Sequence, residues 1–324
     1  MKVLFLQTAH PENDDRIYYH QRVSLEKAGH KCAFADSVKE VKDIPQVVIC
    51  DTPKAIWETH KTFKKSIIVY DVTEWYPSKK NLRNISRWLK PIKWCALVIA
   101  SIYAGLVADA FIFGEYYKAR PFRFLFPWKR HLHLSYYPSL NYIQPTTPHD
   151  LSKEVRLFYA GPKTAEKGYE RVQEVAKLCQ KQMPDRRFVL TIVNGLTFED
   201  FCQEIAKHDI FLDLRDNDIE NTHCLPIKLF YYMAAGRPVI YSDLKAIHRG
   251  VPEIVNDSLV KPYDIAYIVN MVCNYVSHPE HNRQIGKRNR NLIEQKYNWE
   301  IQSDNFVQFI TRSSKNLRTG ELTT

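Results

Sequence analysis

Two lysines lie in a short loop that has the character of a phosphate-binding segment. The loop "GPKTAEKG" (161–168) follows a strand-like stretch, opens a helix-like one and carries Lys163 and Lys167. It matches neither the Walker pattern nor the G-x-G-x-x-G dinucleotide pattern. The loop is therefore a candidate for binding an anion, and a plain exposed loop with two surface charges is the alternative.

A second anion-binding candidate is a helix start in the stretch "LPIKLFYYMAAGRPVIYSD" (225–243). Pro226 is expected at the first helical position, where a proline loses no hydrogen bond, and Gly236 is expected to end the helix. The first N–H groups of such a helix carry partial positive charge and can hold phosphate. Lys228 in the first turn adds a full charge. An ordinary helix–strand connection is the alternative.

The elements around these stretches alternate between strand-like and helix-like segments in both halves of the chain. The first half has five strand-like runs and a helix closed at Gly29, and Asp51 and Asp71 fall at strand ends. The polar, proline-containing run 144–154 is the best linker candidate. The second half repeats the alternation, with a helix over 169–182 and a helix start at Thr197. We predict two α/β domains with a cleft between them, because α/β folds place their functional loops at the carboxyl ends of strands.

Positive charge is concentrated in the first half of the chain. The protein has 324 residues and a formal net charge of +10, and residues 76–134 contain 11 Lys/Arg against two Asp/Glu, interleaved with Trp and Phe. Basic residues mixed with aromatic ones suit an anionic membrane surface. A solvated basic face is the alternative. Nucleic acid is not an expected partner, since no nucleic-acid-binding motif is present.

The remaining composition favours a cytoplasmic protein. The seven cysteines are dispersed without a C-x-x-C pair, which is typical of reduced thiols. The first apolar run is too short for a signal peptide. The longest uncharged run, 94–108, has 15 residues, whereas a membrane-spanning helix needs about 20. We expect a buried or surface-lying helix there.

In combination, three segments in this order resemble bacterial glycosyltransferases of retaining family four: "HPENDDRIYYHQRVSLEKAGHKC" (10–32), "AGPKTAEKG" (160–168) and "LPIKLFYYMAAGRPVIYSD" (225–243). The resemblance covers essentially the whole chain. It implies the GT-B fold, an α/β architecture of two Rossmann-like domains that face a cleft. It implies an acceptor-binding domain over 1–147, a nucleotide-sugar-binding domain over 148–300, and a C-terminal helix over 301–324 that crosses back to the first domain.

The resemblance assigns the donor-binding residues to the second domain. Lys167 matches a loop lysine that contacts the donor diphosphate. Lys163 is expected to replace a basic residue that the family carries at the position of Pro162. Lys228 is expected to add charge at the helix start. Three neighbouring residues match the backbone that faces the phosphates: Leu225, Pro226 and Ile227.

The resemblance also indicates residues on the acceptor side. His10 and Arg16 match the family's "H…D-x-R-I" pattern, and "DVTEWY" (71–76) matches a segment that usually reads "D-x-H-E". Glu74 is retained in that segment, and Thr73 stands at the histidine position. His10 and Glu74 are therefore the candidate catalytic residues of the first domain, with Arg16 and Thr73 beside the acceptor.

Both carboxylates of the family's paired-glutamate motif are replaced in this chain. The first position is His223, expected near the transferred sugar, and the second is Tyr231, expected at the ribose. A hydrogen bond to a charged group contributes about 1.5–3 kcal/mol and a neutral one about 1 kcal/mol. Tyr231 is thus expected to keep a weaker ribose contact. The "DND" run (216–218) resembles a cation-binding D-x-D, but we interpret it as an acidic loop end and predict neither a metal nor a cofactor.

The leading hypothesis is an enzyme, a hexosyltransferase-type glycosyltransferase that uses a nucleotide-diphosphate sugar and a lipid-linked or polysaccharide acceptor. It would retain the anomeric configuration, need no metal and act at the inner face of the cell membrane. Two alternatives stay open: a catalytically impaired GT-B protein that binds a membrane or a partner, and a nucleotide-sugar epimerase. The replaced glutamates favour the first alternative, whereas Lys167 and the helix start favour an active transferase.

Overall fold

The computed structural model describes residues 1–6, 14–147 and 149–319, which form two compact units. The first unit contains Met1–Tyr136 and the chain from Gln302 onwards, and the second is Tyr137–Ile301. The domain boundary predicted after residue 147 falls inside the second unit. The reason is local packing: the Tyr137 ring lies 4.9 Å from that of Phe230, and the Thr146 N–H donates to the Ala235 carbonyl.

The first unit is built on a parallel six-stranded sheet with the order β2-β1-β3-β4-β5-β6. The strands are β1 (Lys2–Leu6), β2 (Lys31–Ala35), β3 (Val47–Cys50), β4 (Ile67–Val72), β5 (Ala110–Phe113) and β6 (Arg130–His133). The central strands are continuous buried runs, as expected for a parallel sheet covered on both faces. Strand β6 was not predicted, because its "RHLH" sequence has no apolar run; it forms by pairing with β5.

Helical segments cover this sheet. The predicted helix from Asp15 forms as a π-helical segment, Asp15–Gln21, followed by α1 (Arg22–Lys27), and Gly29 with φ +79° ends it as predicted. The other helices are α2 (Pro53–Thr62), α3 (Lys79–Leu82), α4 (Lys90–Val107) and α5 (Tyr116–Leu125). Helix α4 includes most of the uncharged run of the sequence, and three of its residues are buried: Ser101, Ala104 and Gly105.

The second unit is built on a parallel five-stranded sheet with the order β11-β10-β9-β7-β8. The strands are β7 (Glu154–Ala160), β8 (Arg187–Val193), β9 (Ile210–Asp213), β10 (Val239–Ser242) and β11 (Leu259–Val260). The helices are α6 (Tyr169–Gln182), α7 (Phe198–Ile205), α8 (Ile219–Thr222), α9 (Ile227–Ala234), α10 (Lys245–Gly250), α11 (Val255–Ser258), α12 (Ile265–Ser277), α13 (Pro279–Gln295) and α14 (Trp299–Thr319). Helix α14 begins in this unit and continues into the first.

Helix α9 differs from the prediction at its first residue. Pro226 has ψ 123°, so it precedes the helix as its N-cap, and Ile227 is the first helical residue. Gly236, with φ +72°, follows the helix as predicted. From Leu229 to Ala234 the helix is buried on all sides, not only on one face. Tyr232 stacks on Phe211 of β9 with 4.6 Å between ring centroids, which explains one of the two adjacent tyrosines.

Candidate phosphate site

Three cationic side chains meet at the carboxyl edge of the five-stranded sheet. Lys167 comes from the loop after β7, Arg215 from the loop after β9, and Lys228 from the first turn of α9. The Lys228 ammonium donates to the Ala160 carbonyl at the end of β7. Burial lowers the pKa of Lys228, and the charges of Arg215 and Lys167 lower it further, against the opposing charge of Asp213. Arg215 and Lys167 therefore both lie within electrostatic range of the Lys228 ammonium.

Arg215 is held rigidly at this edge by an aspartate and a tyrosine. Its Nε and Nη2 atoms donate to the Asp213 carboxylate over 2.9 and 2.5 Å. The Tyr241 hydroxyl donates to the same carboxylate over 2.9 Å, and the guanidinium lies 5.2 Å from the Tyr241 ring centroid. Asp213 thus offsets one of the three positive charges and fixes the fork of Arg215. Neither Asp213 nor Arg215 was predicted from the sequence, although "DLR" at the end of a strand was the available signal.

The β7 loop is shaped by a glycine and a tyrosine. Gly168 has φ +79°, and a Cβ atom there would overlap the Leu214 carbonyl group. The Tyr159 hydroxyl lies 3.0 Å from the Pro162 carbonyl oxygen and 3.1 Å from that of Lys167. The Tyr159 contacts tie the loop to β7, and the close approach of Gly168 places the loop against Leu214, directly after β9. Lys167 Nζ donates to the side chain of Asn221 in α8 over 2.9 Å.

The other predicted donor residues occupy different environments. Lys163 is exposed, whereas Lys167 is half-buried, so the two loop lysines differ in their exposure to solvent. The Leu225 side chain packs against Gly250. Pro226 is buried, makes no side-chain cap and precedes Ile227, which is partly exposed. No side chain therefore caps the start of α9, and Lys228 lies in the first turn of the same helix.

The two replaced-glutamate positions are not equivalent. Tyr231 is 2% exposed, and its ring packs at 6.0 and 5.7 Å from Phe198 and Phe201 of α7. The Tyr231 ring is therefore part of the packing between α9 and α7, and its expected ribose contact stays a prediction. His223 is half-buried and directly follows α8, two residues after Asn221.

The acidic "DND" run is engaged in local contacts. Asp216 accepts hydrogen bonds of 2.7 Å from Arg171 and from the Tyr263 hydroxyl, and Asp218 accepts from the Asn221 backbone N–H at the start of α8. Across residues 1–6, 14–147 and 149–319, no group of three or more His, Cys, Asp or Glu side chains is arranged to hold a metal ion. The arrangement of Asp216 fits the interpretation of an acidic loop end.

In the first unit, the carboxyl edge of the sheet carries a buried ion pair. Arg16 donates to Asp71, and its guanidinium lies 5.1 Å from the Tyr136 ring centroid. Asp51 follows β3 at the same level as Asp71, because Cys50 is paired with Tyr70. Burial, reinforced by the charge of Asp71, raises the pKa of Asp51 to about 6.

The remaining acceptor-side predictions concern residues near this edge. The Thr73 carbonyl accepts a 2.6 Å hydrogen bond from Lys118, and Glu74 is half-buried beside it in the chain. His10 lies outside the described residues. The structure therefore brings Arg16 together with Asp71 and Tyr136, and the catalytic assignments of His10 and Glu74 stay predictions.

Comparison with known proteins identifies the fold. No protein-family model matches this sequence, and no curated protein matches it. Sucrose-phosphate synthase from Thermosynechococcus elongatus matches with a TM-score of 0.66 at 12% identity, over 99% of this chain and 100% of that chain. HepE from Anabaena, solved in complex with UDP-glucose, matches with a TM-score of 0.65 at 13% identity, over 96% of this chain and 100% of that chain.

A third match covers less of the other protein. TarM from S. aureus matches with a TM-score of 0.56 at 12% identity, over 81% of this chain and 54% of that chain. All three are GT-B glycosyltransferases, and this chain has their fold. The predicted GT-B α/β fold class is thereby confirmed, with two parallel sheets of six and five strands.

Proposed function

We propose that this protein transfers a sugar from a nucleotide-diphosphate sugar to an acceptor. The observation that carries the proposal is the cluster of Lys167, Arg215 and Lys228 beside the uncapped start of α9, within a GT-B fold. Fixed cations and helix N–H groups stabilise a diphosphate as negative charge develops on it during bond cleavage. The similarity to HepE, which was solved with UDP-glucose, supports a nucleotide sugar as the ligand.

In this proposal the cations have distinct tasks. Arg215 and Lys228 are fixed before the donor arrives, by Asp213 and by the Ala160 carbonyl, so little reorganisation is needed when charge develops. Lys167 exchanges its contact with Asn221 for a phosphate oxygen. The bond between the anomeric carbon and the diphosphate breaks, and the acceptor hydroxyl oxygen bonds to that carbon with retention of configuration. The hydroxyl proton passes to the departing diphosphate. His223 is the proposed residue near the transferred sugar, and no metal takes part.

The proposed acceptor is a lipid-linked sugar or a growing polysaccharide. Arg16, Thr73, Glu74 and His10 are its proposed contacts in the first unit. A charge-rich acceptor domain with an exposed apolar helix supports action at the inner face of the cell membrane. The proposed location is therefore cytoplasmic and peripheral to the membrane.

The two lysines of the β7 loop provide a matched test of the phosphate site. Lys167→Ala is expected to raise the Kd of UDP by roughly 10- to 100-fold, the loss of one charge-assisted hydrogen bond of about 1.5–3 kcal/mol. Uridine affinity should stay the same, because the nucleoside has no phosphate. Lys163→Ala removes the exposed lysine of the same loop and should lower UDP affinity less than Lys167→Ala does, with uridine affinity unchanged.

Isothermal titration calorimetry with UDP, GDP and the matching nucleosides measures these affinities. Equal losses of UDP affinity in Lys167→Ala and Lys163→Ala would indicate a general electrostatic attraction and not a specific contact of Lys167. An unchanged UDP affinity in Lys167→Ala would remove this loop from the donor site.

One observation favours a second candidate, a GT-B protein that binds a nucleotide diphosphate without turnover. The replacement of the second glutamate by Tyr231, which is 2% exposed, leaves that position without a carboxylate for the ribose. Product analysis with UDP-sugars separates the candidates. A transferase releases UDP only with an acceptor, an epimerase isomerises the donor without one, and a binding protein does neither. In a transferase, His223→Ala should lower turnover more than donor affinity, because that position faces changing charge.

A further inference from the structure

Helix α4 carries a continuous apolar stripe on its exposed face. Its members repeat at intervals of four and three residues along one side of the helix: Trp88, just before it, and Ile92, Cys95, Ile99, Ile102 and Leu106. Trp88 is 87% exposed, and Ile92 and Ile99 are 68% and 67% exposed. The opposite side contains the buried residues Ser101, Ala104 and Gly105. We call this exposed side the α4 stripe.

The end of α5 extends the same apolar surface. Phe126 packs against Gly105 of α4, and Lys129 donates to the Leu106 carbonyl over 2.5 Å and to that of Ala108. The chain around these contacts exposes two aromatic side chains, Phe124 at 84% and Trp128 at 70%. Large apolar groups this exposed on a folded unit indicate an interaction surface.

The charge around the α4 stripe is positive. Exposed basic residues lie before α4, within it and on α5: Arg83, Arg87, Lys93, Arg120 and Arg123. Of the two acidic residues of segment 76–134, Glu115 is buried and Asp109 is exposed. Asp109 accepts from the Ile68 backbone N–H over 2.8 Å, and Glu115 is buried beside Lys118 at 3.1 Å. The exposed charges of this segment are therefore predominantly cationic, with Asp109 as the exposed acidic residue.

We infer that the α4 stripe, with Phe124 and Trp128, inserts into the interface of an anionic lipid bilayer. Apolar side chains would enter the headgroup–acyl boundary while the flanking cations meet the lipid phosphates. Tryptophan suits this boundary, because its ring is apolar and its N–H is polar. The inference deepens the proposed peripheral location by naming the surface that binds. It stands independently of the proposed sugar transfer, since vesicle binding requires neither donor nor turnover.

The packing of α4 favours an interfacial position over a membrane span. Within the described residues, α4 is the one helix long and apolar enough to cross a membrane by length and composition. Its second half is nevertheless packed on the core through Ala104 and Gly105, against Phe126. Crossing the bilayer would break this packing, whereas lying in the interface keeps it and buries only the exposed side.

The composition of α4 also favours lipid over a second copy of the chain. Alternating intervals of four and three residues suit pairing of two helices, but soluble helix pairs carry charged residues beside the seam. Residues 94–107 contain no charged residue. A helix pair would leave much of this apolar surface in water, whereas a bilayer covers it.

Sedimentation with lipid vesicles tests the inference on the full chain. We expect binding to vesicles of 70% phosphatidylcholine and 30% phosphatidylglycerol, no binding to pure phosphatidylcholine, and weakening between 0.1 and 0.5 M NaCl through screening. The double variant Ile92→Ser/Ile99→Ser should lose binding by at least about tenfold. Its matched control, Ile44→Ser/Ile301→Ser, removes two exposed isoleucines elsewhere and should bind like the wild type.

A second pair of variants tests the contribution of positive charge, and each double variant removes two positive charges from the protein. Lys93→Gln/Arg123→Gln should weaken vesicle binding by about 30-fold, with two cations contributing roughly 1 kcal/mol each. Lys64→Gln/Lys65→Gln removes the same charge from another exposed part of the first unit and should have a small effect. Lys129 and Arg130 are unsuitable for this test, because Lys129 holds the end of α4 and Arg130 lies over the Phe309 ring.

Three outcomes would overturn the inference. The first is no binding to either vesicle, or binding that Ile92→Ser/Ile99→Ser does not change. The second is a dimer in solution that the same variant converts to monomer without any vesicle binding, which assigns the stripe to a second copy. The third is vesicle-bound protein that resists both high salt and alkaline carbonate, which assigns α4 to a membrane span. Thermal unfolding of every variant checks that the fold is intact.

Discussion

Asp51 and Asp71 lie next to each other at the carboxyl edge of the six-stranded sheet, and Arg16 pairs with Asp71. The pKa of Asp51 rises from 3.8 to about 6 in the folded protein because burial and the Asp71 charge oppose its ionisation. Between these pH values the folded state binds more protons than the unfolded state, so the free energy of unfolding falls as pH rises. Ionised Asp51 therefore destabilises the fold at neutral pH.

Asp51→Asn is accordingly expected to stabilise the protein at pH 7 by about 2 kcal/mol and to have little effect near pH 4. The magnitude follows from about 1.36 kcal/mol per unit of pKa shift, reduced because solvent screens part of the interaction. Urea unfolding of both proteins from pH 4 to 7.5 measures this difference. The control Asp185→Asn changes an exposed aspartate and should give a difference that does not vary with pH in this way. A stabilisation equal at all pH values would contradict the assigned cause.

At the scale of elements, the β7 loop depends on one glycine. Gly168→Ala should cost at least about 3 kcal/mol of stability, since the left-handed backbone is unfavourable for alanine and its Cβ would overlap the Leu214 carbonyl. Gly195 has nearly the same φ, +75°, but a Cβ there would meet open space, so Gly195→Ala should cost only about 1–2 kcal/mol.

Urea unfolding midpoints of the two alanine variants distinguish the cost of the left-handed backbone from the cost of the Cβ overlap with Leu214. UDP affinity should fall in Gly168→Ala and not in Gly195→Ala, because only the first substitution displaces the loop that carries Lys167. Equal losses of stability in both variants would show that the Leu214 contact is not a constraint.

At the scale of the whole molecule, ligand binding should appear as added thermal stability. UDP at 100 times its Kd should add about 2.7 kcal/mol to the free energy of unfolding of the unit that binds it, a shift of several degrees in Tm. The shift should persist in EDTA, because the proposed diphosphate ligands are Lys167, Arg215 and Lys228. Differential scanning fluorimetry with and without EDTA measures it, and a shift that appears only with added Mg²⁺ would contradict a metal-independent site.

The elements whose signals are local could be predicted from the sequence. Apolar runs predicted most strands of both sheets, Gly29 and Gly236 marked helix ends, and Thr197 marked the start of α7, where its hydroxyl accepts from the Asp200 N–H. Helix α6 was predicted at its observed bounds, Tyr169–Gln182. These features depend on hydrogen bonds and side-chain periodicity within a few residues, which the sequence contains directly.

Tertiary packing determined which side chains share an environment. Arg215 joins Lys228 because β7 and β9 are neighbours in the sheet, and Tyr231 is buried because α7 packs on α9. Lys129, one of the basic residues of segment 76–134, donates to the Leu106 carbonyl at the end of α4. In each case the deciding contact comes from a segment more than 20 residues away in the chain. Local sequence signals do not specify such contacts, because burial and charge at a site are set by whatever the fold brings beside it.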